Sequence, residues 1–298
     1  MKKSLRESLP FLAYASPWLI GLLVLLLVPI IASLYLSMTS WDILTPPKWV
    51  GFDNYREIYQ DPLFYKSMRV TLVYSAFSVP LGVIISFFIA LLLNNDIKGM
   101  NIFRTIYYLP AVVSGAAVSL LWAWMFNPEF GLINNLLLKV GINGPAWIYD
   151  EVWVMPSLIL MSLWGIGGGI IMYLSGLQGI PTELYEAATI DGAGWWQRLR
   201  HVTLPSMSPV LLFTNLTGII GAMQTFTQAY VMTSGGPNNA SLFYAFYIYS
   251  HAFSWHKMGK ACALAWILFA VILVLSLAVL YVSRRYVYYE SKEAADIV

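Results

Sequence analysis

Residues Glu183–Pro205 read ELYEAATIDGAGWWQRLRHVTLP, and they place three acids, two arginines and a histidine in a chain that is otherwise largely apolar. Pro181, just before them, suits the first turn of a helix, and Glu183 suits its positive N-terminal end. TELYEAATIDGAG predicts a short helix stopped by Gly192 and Gly194, because helix ends favour a left-handed residue that glycine supplies. WWQRLRHVT predicts a second short helix running to Leu204 and Pro205. Ala187, Ala188 and Ala193 leave a flat surface for close docking, while Glu186 and Asp191 offer carboxylates to a partner's arginine. On these residues alone, a docking loop and a plain connection both stay open.

On either side of the stretch, charge disappears. Uncharged runs cover residues 8–41, 70–95, 105–128, 152–182, 201–256 and 261–283, each longer than the roughly 20 residues that cross a bilayer. Apolar residues make up 59% of the chain and charged ones 11%, against about a quarter charged in a soluble domain. Six spanning helices are expected, the first within 8–41 and the others over roughly 70–93, 105–126, 152–175, 209–231 and 261–282. The longest run holds only one, because TSGGPNNAS at Thr233–Ser241 is backbone that lipid cannot satisfy. The first run lacks a small-residue cleavage site and predicts a retained helix. With the N-terminus inside, Lys2, Lys3, Arg6, Lys98, Arg104, Arg198, Arg200, Arg284, Arg285 and Lys292 face the cytoplasm, ten of seventeen basic residues. That bias has the sign expected when both termini are cytoplasmic.

Within the spans, Pro80 and Pro110 predict kinks. Gly165, Gly167, Gly168 and Gly169 weaken the fourth span and invite close approach, with Gly165 and Gly169 as a small-xxx-small pair or as part of a cavity wall. Thr214, Thr217, Gly218, Gly221, Gln224, Thr225 and Gln228 recur at helical spacing and predict one polar face on the fifth span, which either packs on a helix or lines a wet path. Outside the spans, NYREIYQ predicts a short amphipathic helix, and LFYAFYIYSHAF predicts a segment at the membrane interface. The tail RRYVYYESKEAADIV predicts a solvated cytoplasmic end.

Several chemistries are excluded. The Gly-Lys in HKMGKAC lacks the phosphate-loop pattern, so ATP is not bound in that way. His201, His251 and His256 have no carboxylate or cysteine at metal-ligand spacing, and Cys262, the single cysteine, cannot form a disulfide framework. No histidine falls within a span to activate a serine, which leaves Ser114 beside Gly115 as a helix-packing residue. An ion-coupled carrier commonly places acids or bases at mid-membrane, and the uncharged runs supply none.

EAATIDGAG followed by LP resembles the EAA loop of permease subunits from ATP-binding cassette importers. The matching residues are Glu186, Ala187, Ala188, Asp191, Gly192, Ala193, Gly194, Leu204 and Pro205. GLQGIPTELYEAA, TSGGPNNAS and GFDNYREIYQDPLFYKSMRVTLVYS look like the sugar-transporting, maltose/lactose-type branch, in particular its first permease subunit, over residues from about 11 to 285. Trp195, Trp196 and Arg200 depart from the pattern. The chain resembles the shorter members, without the large extracellular domain and additional N-terminal helices of the maltose permease.

The resemblance implies an all-α polytopic membrane protein with six transmembrane helices, a type I ABC importer transmembrane domain. Residues 1–69 would form the N-terminal tail, first transmembrane helix and extracellular segment, and 70–285 the permease core, with five transmembrane helices and a coupling loop at 176–208; 286–298 would be a cytoplasmic tail. Glu186, Ala187, Ala188, Asp191, Gly192, Ala193 and Gly194 would couple to the ATPase. Trp164, Gly165, Gly218, Ala222 and Thr225 stand at positions corresponding to the family's cavity lining, and the polar stripe adds Gln224 and Gln228. The implied function is import of a sugar or oligosaccharide delivered by an extracytoplasmic binding protein. A homologous second permease, two cytoplasmic ATP-binding cassette subunits and the lipid bilayer are the remaining partners, with no nucleic acid. The chain is expected not to be an enzyme and to hold no cofactor or metal, since ATP and Mg would sit on the partner ATPase. The implied location is a bacterial or archaeal cell membrane. The alternatives are a glycerol-phosphate or polyol permease of the same family and, further off, a self-standing carrier or channel.

Overall fold

The computed structural model describes residues 14–95, 97–285 and 287. The expected N-terminal basic cluster and the last tail residues lie outside them. Helix α1 spans Tyr14–Ser37, and two-residue strands β1 (Thr39–Ser40) and β2 (Lys48–Trp49) pair antiparallel after it. Helix α2 (Asp53–Gln60) precedes the long α3 (Pro62–Leu93). Next come α4 (Met100–Val112), α5 (Gly115–Met125) and α6 (Leu132–Lys139). Then α7 (Val154–Gly165), α8 (Gly167–Gln178), α9 (Thr182–Ile190) and α10 (Trp195–Met223) lead to α11 (Tyr244–Tyr249) and α12 (Met258–Ser283).

Helices α1, α3, α10 and α12 are each long and apolar enough to cross a membrane, and the pairs α4–α5 and α7–α8 bring the number to six if each bent pair is one span. The first pair bends by 96°, where Val113 is extended and Ser114 caps α5 by accepting the Ala117 N–H at 3.4 Å. Ser114 therefore ends one helix and starts the next, where sequence reasoning had it packing inside one. Pro110 lies in the last turn of α4, whereas α3 continues unbroken through Pro80.

The second pair bends by 47° at a 3-10 turn, Leu163–Gly165. A Cβ on Gly167 would lie 2.5 Å from the Tyr107 carbonyl oxygen of α4, and one on Gly169 would lie 3.2 Å from Ser86 Oγ of α3, while Gly165 and Gly168 face open space. Gly167 and Gly169 thus make the close approaches, and the expected Gly165–Gly169 pair does not.

The described chain forms two compact units. One comprises residues up to Pro62 with Ile248–Phe269. Within it, Asn54 Nδ2 donates to the carbonyls of Ser37 at 2.8 Å and Thr39 at 2.9 Å, fastening α2 beneath the end of α1. Lys260 reaches Glu57 at 3.4 Å, and Trp266 Nε1 donates to Ser33 Oγ at 3.2 Å.

The second unit, Leu63–Tyr247 with Ala270–Val298, has two apolar cores. Tyr74, Trp122, Phe126, Leu158 and Phe243 belong to one; Phe87, Ile170, Tyr173, Leu199 and Met207 belong to the other. The aromatic run after TSGGPNNAS is divided, with Phe253 59% exposed and other rings buried. Phe243, Tyr244 and Tyr247 are fully buried, with Phe243 edge-on to Tyr74 at 5.0 Å and the Tyr244 N–H donating to Thr71 Oγ1 at 2.8 Å.

Candidate functional site: an exposed loop and a broken-helix path

The loop between α8 and α10 folds as its residue types dictate. Pro181 stands at the N-cap position just before α9 and makes no side-chain cap, one residue ahead of the first turn expected for it, and Glu183 sits in that first turn, next to the helix's positive end. At the other end, Gly192 takes φ +76°, the Ala193 N–H bonds the Ala188 carbonyl at 2.9 Å and the Gly192 N–H bonds that of Thr189 at 3.0 Å. This is the Schellman arrangement, and it needs a residue at ease in the left-handed region. Gly194 is instead extended, and its N–H donates to Gln197 Oε1 at 2.7 Å as the next helix begins.

WWQRLRHVT is not a separate helix. It forms the first turns of α10, one helix from Trp195 to Met223. A π turn at Leu199–Thr203 permits this, with the Leu204 N–H bonding the Leu199 carbonyl five residues back. Proline's ring clashes with the carbonyl four residues before it in a regular α-helix, and the wider turn gives Pro205 room. Tyr185 OH meets Thr203 Oγ1 at 3.0 Å, which fixes α9 against this turn.

Five of the seven motif residues, Ala187, Ala188, Asp191, Gly192 and Ala193, share one surface, and Glu186 and Gly194 lie outside it. Glu186, Ala187, Asp191, Gly192 and Gly194 are exposed, with Ala188 and Ala193 half-buried. Among the described residues neither Glu186 nor Asp191 makes an ion pair. A hollow of about 450 Å³ lies between Leu184, Ala187 and Ala188 on α9 and Gln197, His201 and Val202 on α10, with the Asp191–Ala193 turn joining the two sides. Beside it Ile190 is 86% exposed and Trp196 is 69% exposed. Ile190 was missed by sequence reasoning, which treated it as a spacer between motif residues.

The substrate-path residues are less unified. Trp164 stands in the 3-10 turn of α7, edge-on to Trp122 with ring centroids 6.0 Å apart, and Gly165 beside it is exposed. Helix α10 ends at Met223 and not near residue 231. Gln224 leaves helical geometry, Thr225 is buried, and a short helical turn at Ala229–Thr233 follows Gln228. The predicted stripe is therefore broken, with Thr214, Thr217, Gly218, Gly221 and Ala222 on α10 and Gln224, Thr225 and Gln228 past its end. Non-helical backbone at such a point is tolerated where it is buried in protein or lines a cavity. Gly218 alone of the seven path residues lines a further hollow of about 220 Å³ between α3, α7–α8 and α10. Sequence reasoning missed the other groups facing that hollow, Ser78, Ser86, Ser162 and Tyr173, although serines recur at helical spacing along α3.

Bent helix pairs among the spans, together with an exposed loop helix bearing unpaired carboxylates, define a class: a multi-span membrane protein that presents a helical loop outside its spans. The chain belongs to the binding-protein-dependent transport system inner membrane component family, whose profile matches residues 72–288. It is 39% identical to the probable ABC transporter permease protein YesP of Bacillus subtilis (strain 168), over 98% of this chain and 97% of that one. It is also 33% identical to the lactose transport system permease protein LacF of Rhizobium radiobacter, over 91% and 93% of the two chains. One chain in the crystal structure of a bacterial ABC transporter involved in the import of the acidic polysaccharide alginate superposes with a TM-score of 0.80, at 26% identity, covering 95% of this chain and 98% of that chain.

Proposed function

We propose that this permease carries a sugar or oligosaccharide inward, receiving it from an extracytoplasmic binding protein and drawing energy from separate ATPase subunits docked on the α9 loop. A homologous second permease completes the path, two ATP-binding cassette subunits hold ATP and Mg, and both termini of this chain are cytoplasmic. Glu186, Ala187, Ala188, Asp191, Gly192, Ala193 and Gly194 form the coupling surface. Trp164, Gly165, Gly218, Ala222, Gln224, Thr225 and Gln228 flank the path.

The observation that carries the reading is the display of the whole motif on one short helix and its turn, with Ile190 86% exposed beside it. Exposed apolar patches rimmed by polar residues mark protein contacts, and we read Ile190, Trp196 and the alanines of this loop as one such patch. The carbohydrate class is supported by relatives named for lactose and alginate and by the uncharged polar groups of the broken helices, which suit a ligand rich in hydroxyls.

The test is co-purification of this chain with its second permease and ATPase, comparing wild type with Glu186→Arg and Gly192→Trp. The first reverses a charge at the docking surface, and the second puts a bulky side chain at φ +76°. Wild type should retain the ATPase and both variants lose it while the two permeases stay paired. Equal retention by all three forms removes the coupling role.

A further inference from the structure

A third hollow, of about 600 Å³, lies between α3, α10 and the C-terminal half of α12. Its walls are mainly apolar, with Leu211 and Leu212 from α10 and Leu275 and Val279 from α12, and no charged side chain lines it. Ser208 and Ser283 also face it, but each gives its hydroxyl proton to its own helix, to the Pro205 carbonyl at 2.6 Å and the Leu280 carbonyl at 2.8 Å. Asn215 is the remaining polar wall. Along α12 the lining runs from Leu275 to Ser283, about 12 Å at 1.5 Å per residue, close to the roughly 15 Å of hydrocarbon in one bilayer leaflet. Apolar walls of that length favour a hydrocarbon chain over a water-soluble ligand.

One end of the hollow is basic. Ser283 and Val287 both line it, and between them the chain turns through Arg284 and Arg285, which are exposed. The Val287 N–H bonds the Ser283 carbonyl at 2.9 Å and closes that turn. Two arginines thus stand in a turn whose two ends both face the hollow. Arg285 makes no ion pair among the described residues. Neighbouring guanidinium groups repel one another, and their planar forks match the oxygens of a phosphate. Tyr281, three residues before Arg284, is 71% exposed and marks the depth of the lipid headgroups, where tyrosine is favoured. Basic groups beside an apolar gap between spans are the recognised form of an anionic-lipid site.

We infer that this hollow binds one anionic phospholipid, with an acyl chain lying along α10 and α12 and the phosphate held by Arg284 and Arg285. A zwitterionic lipid carries its own cation beside the phosphate, which weakens its hold on the arginines. The site needs only the membrane-spanning fold and is independent of which solute is carried.

The experiment reconstitutes the complete transporter, with second permease and ATPases, in phosphatidylcholine vesicles. Each preparation holds a trace of one of two photoactivatable lipids, phosphatidylglycerol or phosphatidylcholine, carrying the same diazirine acyl chain. Peptide mass spectrometry then locates the label. The phosphatidylglycerol probe should mark α10 around Leu211 and α12 around Val279 about tenfold more than the phosphatidylcholine probe does. Arg284→Gln combined with Arg285→Gln should bring it down to the phosphatidylcholine level while labelling of α1 stays unchanged. Ala278→Trp, which fills the hollow, should remove the label of both probes from these positions. Equal labelling by the two probes in the wild type, a phosphatidylglycerol excess that survives loss of both arginines, or a label that Ala278→Trp leaves in place overturns the site. Labels on α1 with none in the hollow show that another part of the transporter covers this face, and the proposal fails on that result too.

Discussion

At the scale of single residues, His251 shows how burial sets the chemistry of a side chain. Its imidazole is 2% exposed and is held down to about 4, first by burial, then by the positive charge of Lys260, with Asp61 opposing and Lys257 adding to the effect. The folded protein therefore keeps His251 neutral at a pH where the unfolded chain has already taken up a proton. The resulting stabilisation is fully present above the ordinary value of 6.5 and is lost as pH falls towards 4, with a ceiling of about 3 kcal/mol. The melting temperature of the purified protein should hold steady from pH 8 to 7 and fall between 6.5 and 4. His251→Gln should have a flatter profile over that window; a slope identical to wild type would assign the acid sensitivity to other groups.

At the scale of elements, the sequence carried the periodicity of the spans and the caps of α9, because both depend on nearest neighbours along the chain. Six uncharged runs became four long helices and two bent pairs, and the left-handed stop at Gly192 follows from glycine's lack of a Cβ. What stayed hidden depends on tertiary contact. The merging of WWQRLRHVT into α10 needs the π turn at Leu199–Thr203, and the end of α10 at Met223 has no glycine or proline in the five residues after it. The same limit applies to the candidate sites. The motif proposed for coupling lies within nine residues of the chain and can be quoted from it, whereas the hydroxyls of Tyr173 and Thr214 meet only when two helices pack. The four glycines of the fourth span separate these cases. Gly167→Leu would drive a side chain into the Tyr107 backbone, while Gly168→Leu enters open space. Overpacking of this kind costs about 1–3 kcal/mol or more where backbone cannot move. Size-exclusion profiles should show a clear loss of monodisperse protein for Gly167→Leu and near-wild-type recovery for Gly168→Leu. Similar recovery of both would mean that α4 and α8 are not in such close contact.

At the scale of the whole molecule, exposed apolar side chains lie both on the spans and on the segments between them. The flanks of α1, α3 and α12 expose leucines, valines and isoleucines over lengths that match a bilayer, and lipid accounts for them. Ile190 is different, because it stands on a polar loop between Thr189 and Asp191 and outside every candidate span. Burying an isoleucine in a protein contact contributes about 1.5–3 kcal/mol, and with 86% of it exposed the isolated chain gains little from its presence. Ile190→Asp should therefore leave the yield and melting temperature of the purified permease unchanged while weakening its hold on the ATPase about tenfold to a hundredfold. Binding of the ATPase to the permease pair in nanodiscs, read by biolayer interferometry, measures both forms side by side. If the variant binds as tightly as wild type, Ile190 lies outside the contact and the docking surface is confined to the hollow between α9 and α10. If the variant fails to fold, the side chain supports the loop itself, and its exposure would no longer point to a partner.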